Sequence, residues 1–156
     1  LSWQWKKDSM TKKFVNIKNA RKGEYKNIIK EIESTGKCPF CKENFKYHKK
    51  PIYKKNGKWF LSNNSWPYKN TENHLIILGD EHKENFSELT KKDFESIAYL
   101  TNWVIKKWKI KGGGVAMRFG NTDYTGASVS HLHFHIISPK IDKKTKRAKT
   151  VNFPIG

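Results

Sequence analysis

His131, His133 and His135 stand at alternate positions of Val129-Ser130-His131-Leu132-His133-Phe134-His135-Ile136-Ile137, and no other feature constrains the chain as strongly. Successive side chains of a strand point to opposite faces. Three imidazoles therefore share one face at intervals of roughly 6.5 to 7 Å, while Leu132, Phe134 and Ile136 enter the core behind them. The pattern predicts a strand from Val129 to Ser138. Exposed, satisfied imidazoles on a half-buried strand would show the same alternation without any chemistry. The chemical reading rests on the imidazole itself, which with a reference pKa near 6.5 is a neutral nitrogen nucleophile at neutral pH and needs only an orienting hydrogen bond.

The rest of the chain reads as one α+β domain. Tyr25, Ile28, Ile29 and Ile32 form a helical stripe that Gly36 can close. Ile52 to Lys55 and Lys58 to Leu61 form a hairpin around Asn56-Gly57. His74 to Leu78 reads as a buried strand. Thr90 and Asp93 resemble a capping box opening a long helix, in which Phe94, Ile97, Ala98, Thr101, Val104, Ile105 and Trp108 keep the period until Gly112 to Gly114. Val115 to Phe119 is a further strand, separated from the histidine strand by the polar loop Gly120 to Ala127. Strands on either side of one long helix, joined by hairpins, indicate a mainly antiparallel sheet. Residues 1–19 are expected to be an N-terminal extension, with Trp3 and Trp5 packed on the domain, and residues 20–156 the single domain.

With 156 residues the chain can build one sizeable core. Its apolar runs, such as Leu75 to Leu78, fall far short of the roughly 18 to 20 residues of a membrane span. Leu1 to Lys7 carries no apolar core with a small-residue cleavage site, so a cytoplasmic protein is expected. The formal charge of +18 invites a nucleic-acid partner. It is weaker than it looks, because nearly all the cations are Lys in a chain also rich in Asn and Ile, and Arg is the preferred fork for phosphate. Nucleic acid is therefore not favoured, and the run Lys140 to Lys149 reads as a solvated hairpin. Cys38 and Cys41, two residues apart, cannot form a disulfide framework; they suit a metal clamp, a redox pair or two buried thiols. A redox pair usually follows a strand, whereas this one follows a helix.

These segments in this order resemble the histidine triad (HIT) family. The likeness runs from about Cys38 to Pro139 and includes Cys38-Pro39-Phe40-Cys41, Asn64-Ser65-Trp66-Pro67-Tyr68 ahead of the His74 strand, Asp80-Glu81-His82, and the triad behind Gly126-Ala127-Ser128. It implies a HIT fold of about five mainly antiparallel strands with two principal helices, often paired as a homodimer. It also implies a nucleotide hydrolase or nucleotidyltransferase cleaving at the α-phosphate of a nucleoside polyphosphate or phosphoramidate through a covalent nucleotidyl-histidine. Within the family the chain resembles the diadenosine polyphosphate hydrolase and phosphorylase-like branch. The resemblance assigns nucleophilic attack to His133, a hydrogen bond to phosphoryl or bridging oxygen to His135, and the α-phosphate oxygens to Ser128 and the backbone from Gly126. Phe40 and Leu61 would line the base slot, Asn64 would contact ribose and Asn121 phosphate. Cys38, Cys41, His82 and His131 would hold a structural zinc, with His48 and His74 as substitutes for His82; otherwise His48 reads as a surface residue and His74 as a satisfied one. Ala127 departs from the Gln of many hydrolytic members, which leaves water and phosphate both open as acceptor. The alternatives are a basic nucleic-acid-associated member that removes adenylate from DNA ends, and a redox Cys-x-x-Cys protein.

Overall fold

The structure, a computed structural model, describes residues 13–156. Trp3 and Trp5 lie outside the described residues. Five strands, β1 (Ile52–Asn56), β2 (Trp59–Asn63), β3 (Thr71–Gly79), β4 (Gly114–Met117) and β5 (His133–Pro139), form one sheet in the order β1-β2-β3-β5-β4, with every neighbouring pair antiparallel. Two principal helices, α1 (Glu24–Thr35) and α2 (Lys91–Lys107), accompany it. This is the expected α+β architecture. No described helix is long and apolar enough to cross a membrane.

The two-residue period sorts the sheet into two faces. Trp59 and Leu61 of β2, Leu75 and Ile77 of β3, and Phe134 and Ile136 of β5 pack against Ile97, Leu100 and Val104 of α2. Burial of each such side chain contributes roughly 1.5 to 3 kcal/mol. The opposite face carries Phe60 and Ser62, then His74, Ile76 and Leu78, then His133 and His135. The ladder sets Leu78 beside His133 and Ile76 beside His135. Phe40 and Phe45 cover Phe60, Ile76 and Leu78, and α1 closes a second small core through Ile29 and Ile32 with Val15 and Val129.

Helix ends follow local chemistry. Gly36 closes α1 at φ 63°, a left-handed conformation that costs glycine little. Both halves of the Thr90–Asp93 capping box form, and the Asp93 carboxylate also accepts from Trp59 Nε1 and Lys83 Nζ, each at 2.8 Å. The α2 stripe is narrower than its period suggests. Phe94 and Ile105 remain 39% and 37% exposed at the flanks, and Leu100 lies at the centre.

The histidine strand is shorter than its alternation predicts. The β5 ladder starts at His133, because the preceding residues find other partners: Val129 bridges Val15, Ser130 N–H donates to Phe14, and Leu132 N–H donates to the Lys83 carbonyl at 2.7 Å. The loop before it contains a one-turn helix, α3 (Thr122–Thr125), capped by Asn121 and ended by Gly126 at φ 70°. Residues 140–149 form a hairpin in which Ile141 bridges Ala148.

Candidate active site

His131, outside the ladder, turns its ring away from the other two triad members. Its Nδ1 lies 3.4 Å from Cys38 Sγ and 3.8 Å from Cys41 Sγ, and His82 Nδ1 lies 3.5 Å from Cys41 Sγ. The four donor atoms all fall within 4.8 Å of one another. A tetrahedral centre with metal–sulfur and metal–nitrogen bonds of roughly 2.3 and 2.0 Å separates adjacent donors by about 3.6 Å, so the four residues fit a metal ion. Their outer contacts fit too. His131 Nε2 donates to the Gly79 carbonyl at 3.0 Å and His82 Nε2 to Glu84 at 2.8 Å, which leaves each Nδ1 with its lone pair toward the thiols. Both thiols are buried, and burial pushes Cys38 up to about 12, which opposes a reactive thiolate there.

His133 and His135 face a cleft between the sheet, α1 and residues 126–129, with ring centroids 4.7 Å apart. Backbone groups decide where their protons sit. His133 Nδ1 is 2.7 Å from the His131 carbonyl, which can only accept; the proton is on Nδ1 and the lone pair on Nε2. The second ring is the opposite tautomer. The Tyr68 N–H can only donate, at 3.0 Å, to His74 Nδ1, so neutral His74 carries its proton on Nε2 and gives it to His135 Nδ1 at 2.9 Å. His135 must then hold its own proton on Nε2. That atom is buried without a partner, in a side chain only 3% exposed. In this arrangement the 3.3 Å approach of Asn64 Nδ2 to His74 Nε2 is a contact between two donors; the Asn64 amide is oriented instead by the Trp66 N–H on its oxygen at 2.8 Å.

Electrostatics keep both rings neutral. Burial lowers His133 to about 4, with the Arg118 charge adding to it and the His131 carbonyl opposing. Burial, then the neighbouring His133 and His74, holds His135 well below its ordinary value. The site therefore presents a nitrogen lone pair beside an N–H donor at neutral pH.

Residues 37–150, nearly three quarters of the chain, match the family described as scavenger mRNA decapping enzyme C-term binding. The chain belongs to this family. No curated protein matches it. Among solved structures, a histidine triad nucleotide-binding protein from Candida albicans superimposes with a TM-score of 0.56 at 18% identity, covering 77% of this chain and 85% of that one. A HIT family hydrolase from Clostridium thermocellum gives 0.52 at 23% identity, over 68% and 92% of the two chains, and a histidine triad protein from Clostridium difficile gives 0.51 at 20% identity, over 68% and 94%. The fold is that of the histidine triad proteins.

Within this histidine triad fold, the sequence-derived candidates divide between the cleft and elsewhere. Phe40, Asn64, Gly126, Ser128, His133 and His135 line the cleft, and Phe40 meets His133 edge to face at 5.3 Å. The Ser128 hydroxyl is paired with Tyr25 OH. Leu61 does not line it. Strand alternation points this residue at α2, and Ile76 of β3 contributes to the cleft wall instead. Asn121 is also outside the cleft, where its side-chain oxygen caps α3 by accepting from Asp123 N–H at 2.9 Å. His48 is no surface residue: it stacks on Phe45, lines the cleft and holds Ser62 Oγ at 2.6 Å. His74 is satisfied as expected, and it also orients His135.

Other cleft residues were missed from the sequence. Arg21 and Arg118, two of only three arginines in the chain, line it, as does Tyr25. Their rarity among 32 cations was the available signal. Residues 153–156 return over the site: Phe153 packs edge to face on His135 at 5.1 Å, and a Cβ on Gly126 would fall 2.5 Å from the Gly156 carbonyl oxygen.

Proposed function

We propose that the chain is a nucleotide hydrolase or nucleotidyltransferase acting at the α-phosphate of a nucleoside 5′-phosphate derivative, through a covalent nucleotidyl-His133. The observation that carries this reading is the opposed tautomers of the two cleft histidines, a nucleophile and a donor fixed side by side by backbone hydrogen bonds.

In the proposed reaction His133 Nε2 attacks the α-phosphorus, the P–N bond forms and the bond to the leaving group breaks. His135 Nε2–H donates to the phosphoryl or bridging oxygen as charge develops there. Ser128 and the backbone N–H groups of Ser128 and Val129 hold the remaining oxygens, since the Gly126 and Ala127 N–H groups already donate to the Thr122 carbonyl and to Thr125 Oγ1. Water or another acceptor then displaces the nucleotide and His133 returns with its lone pair. The apolar wall of Ile28, Ile32 and Phe40 accommodates the base, and Asn64 the ribose. The family's description names an mRNA decapping enzyme, and cleavage within a nucleotide polyphosphate falls in the same reaction class.

We assign zinc to the Cys38, Cys41, His82 and His131 cluster, because two thiolates and two imidazoles at these separations suit its tetrahedral preference. Four protein ligands leave no open position, so its contribution is structural: it ties residues 38–41 to the start of β5. The buried thiols, each against an imidazole, speak against the redox alternative.

Rapid-quench mass spectrometry with dinucleoside polyphosphates, cap dinucleotides and nucleoside phosphoramidates tests the reading. A nucleoside monophosphate adduct on His133, with turnover reduced at least a thousandfold in His133→Ala, is the expected result. Undiminished turnover in that variant overturns it.

A further inference from the structure

The cleft has two chemically distinct ends. Ile29, Ile32, Phe40 and Tyr47 form the apolar one. At the other, Arg21 and Arg118 flank Tyr68: the Arg21 guanidinium lies 5.2 Å from the Tyr68 ring centroid, and Arg118 donates to its hydroxyl at 3.1 Å. The Tyr68 ring in turn stacks on His135, 5.9 Å between centroids and 16° from parallel. Tyr68 therefore stands between two guanidinium groups and beside the reacting histidines.

Neither arginine forms an ion pair among the described residues. Arg21 donates to the carbonyls of Trp66 and Pro67, and Arg118 to that of Pro154. Neutral carbonyls fix the position of a guanidinium but leave its charge uncompensated. Both charges are felt by the histidines, since Arg118 and Arg21 depress His74 and His135. Next to them the His135 Nε2 donor is buried and has no partner. Two guanidinium charges with no anionic partner among the described residues, Arg118 also lying 3.9 Å from the Phe153 ring centroid, share the cleft with an unfilled N–H donor in a chain that otherwise relies on Lys; each keeps N–H groups beyond those spent on the carbonyls. Arg presents paired donors in the geometry of a phosphate edge, which Lys lacks.

We infer that Arg21 and Arg118 are specificity-determining residues that clamp a phosphorylated leaving group, so that the substrate is a nucleoside polyphosphate and not a nucleoside phosphoramidate. This rests on the proposed reaction and narrows it. When His133 Nε2 bonds to the α-phosphorus and the bridging P–O bond breaks, the electron pair stays on the bridging oxygen, which departs as part of the β-phosphate, and the two guanidiniums meet its added negative charge. A phosphoramidate instead expels an amine that must gain a proton, and two cations give it nothing.

Two measurements on the zinc-loaded protein test the inference. The first is the ratio of kcat/KM for diadenosine triphosphate to that for adenosine 5′-phosphoramidate. It should fall at least tenfold in Arg118→Gln and in Arg21→Gln, with partial recovery in Arg118→Lys. The second is calorimetric titration with inorganic tripolyphosphate in about 0.15 M salt, which screens scattered surface lysines. One ion should bind per chain, and at least ten times more weakly in the double Gln variant. A ratio changed less than twofold, or tripolyphosphate affinity unaltered in the double variant, overturns the clamp. If wild-type protein turns over neither substrate, the reaction proposed above is what fails, and the titration still decides the clamp. Should Arg118→Gln unfold because it releases Pro154, Arg21→Gln carries the same comparison.

Discussion

The carbonyl oxygen of His131 lies 2.7 Å from Nδ1 of His133. One residue thus gives its side chain to the Cys/His cluster and its backbone to the proton position of the next cleft histidine. The cluster and the lone pair on His133 Nε2 are mechanically coupled over two residues of chain.

This coupling makes the metal's effect on activity specific. Cys41→Ser should abolish stoichiometric zinc, measured by elemental analysis, and destabilise the domain by on the order of 4 kcal/mol. That corresponds to a Tm lower by about 8 to 16 °C at 2 to 4 °C per kcal/mol. Turnover should fall even at temperatures where the variant stays folded, because the carbonyl that holds the His133 tautomer is displaced. Unchanged metal content in Cys41→Ser would refute the assignment.

His74 acts on the reacting pair through His135, its proton reaching Nδ1 across 2.9 Å. Outer hydrogen-bond partners of this kind are worth roughly 10- to 100-fold in activity where they orient metal ligands, and a similar loss in kcat is expected for His74→Ala. Nitrogen-15 NMR supplies the readout that mere destabilisation would not move: His135 should lose its single Nε2–H tautomer in the variant, while His133 keeps Nδ1–H.

Asp93 is the stability hinge of the α2 face. Its carboxylate caps the helix and accepts from Trp59 and Lys83 in a site where it is 7% exposed. Lost capping, at about 1 kcal/mol, and buried donors left unpaired, at about 1 to 3 kcal/mol, add in Asp93→Ala. A loss of about 3 kcal/mol by urea denaturation is expected, and less than 1 kcal/mol would contradict the network.

Stability should also decline in weak acid. Burial lowers His48 and His74 to about 4, against an ordinary value of 6.5. Above pH 6.5 both are neutral folded or unfolded, and the native state is at full strength. Between 6.5 and 4 the unfolded chain takes up protons that the folded one refuses, so stability drops as pH falls, by up to one proton per histidine in the linkage slope. His133 and His135, held down by burial as well, add to the same slope. Urea midpoints from pH 7 to 4.5 should show this, with a shallower slope in His48→Asn, which removes one of the contributing groups.

Much of the fold was legible because its signals are local. The Gly36 stop, the Thr90–Asp93 box and the hairpin at Gly57 depend on neighbours a few residues away, and the alternation around His133 places Phe134 and Ile136 in the core whatever the topology. The same alternation was the guide that would have removed Leu61 from the cleft, since it turns Leu61 to the α2 side of the sheet. Asn121 was drawn away by a local need of its own, the cap of a one-turn helix that the glycines and threonines of its loop concealed.

By itself the sequence determined which chemistry was on offer: neutral imidazoles on a strand and a sulfur–nitrogen donor set, because residue type and periodicity carry that information. Only the tertiary structure decided which nitrogen of each ring holds the proton. That choice depends on a Tyr68 N–H and a His131 carbonyl, whose directions are set by how the backbone folds around each ring and not by residue type. The convergence of Arg21 and Arg118 on Tyr68 is likewise a product of folding, since two cations 97 positions apart meet at one ring.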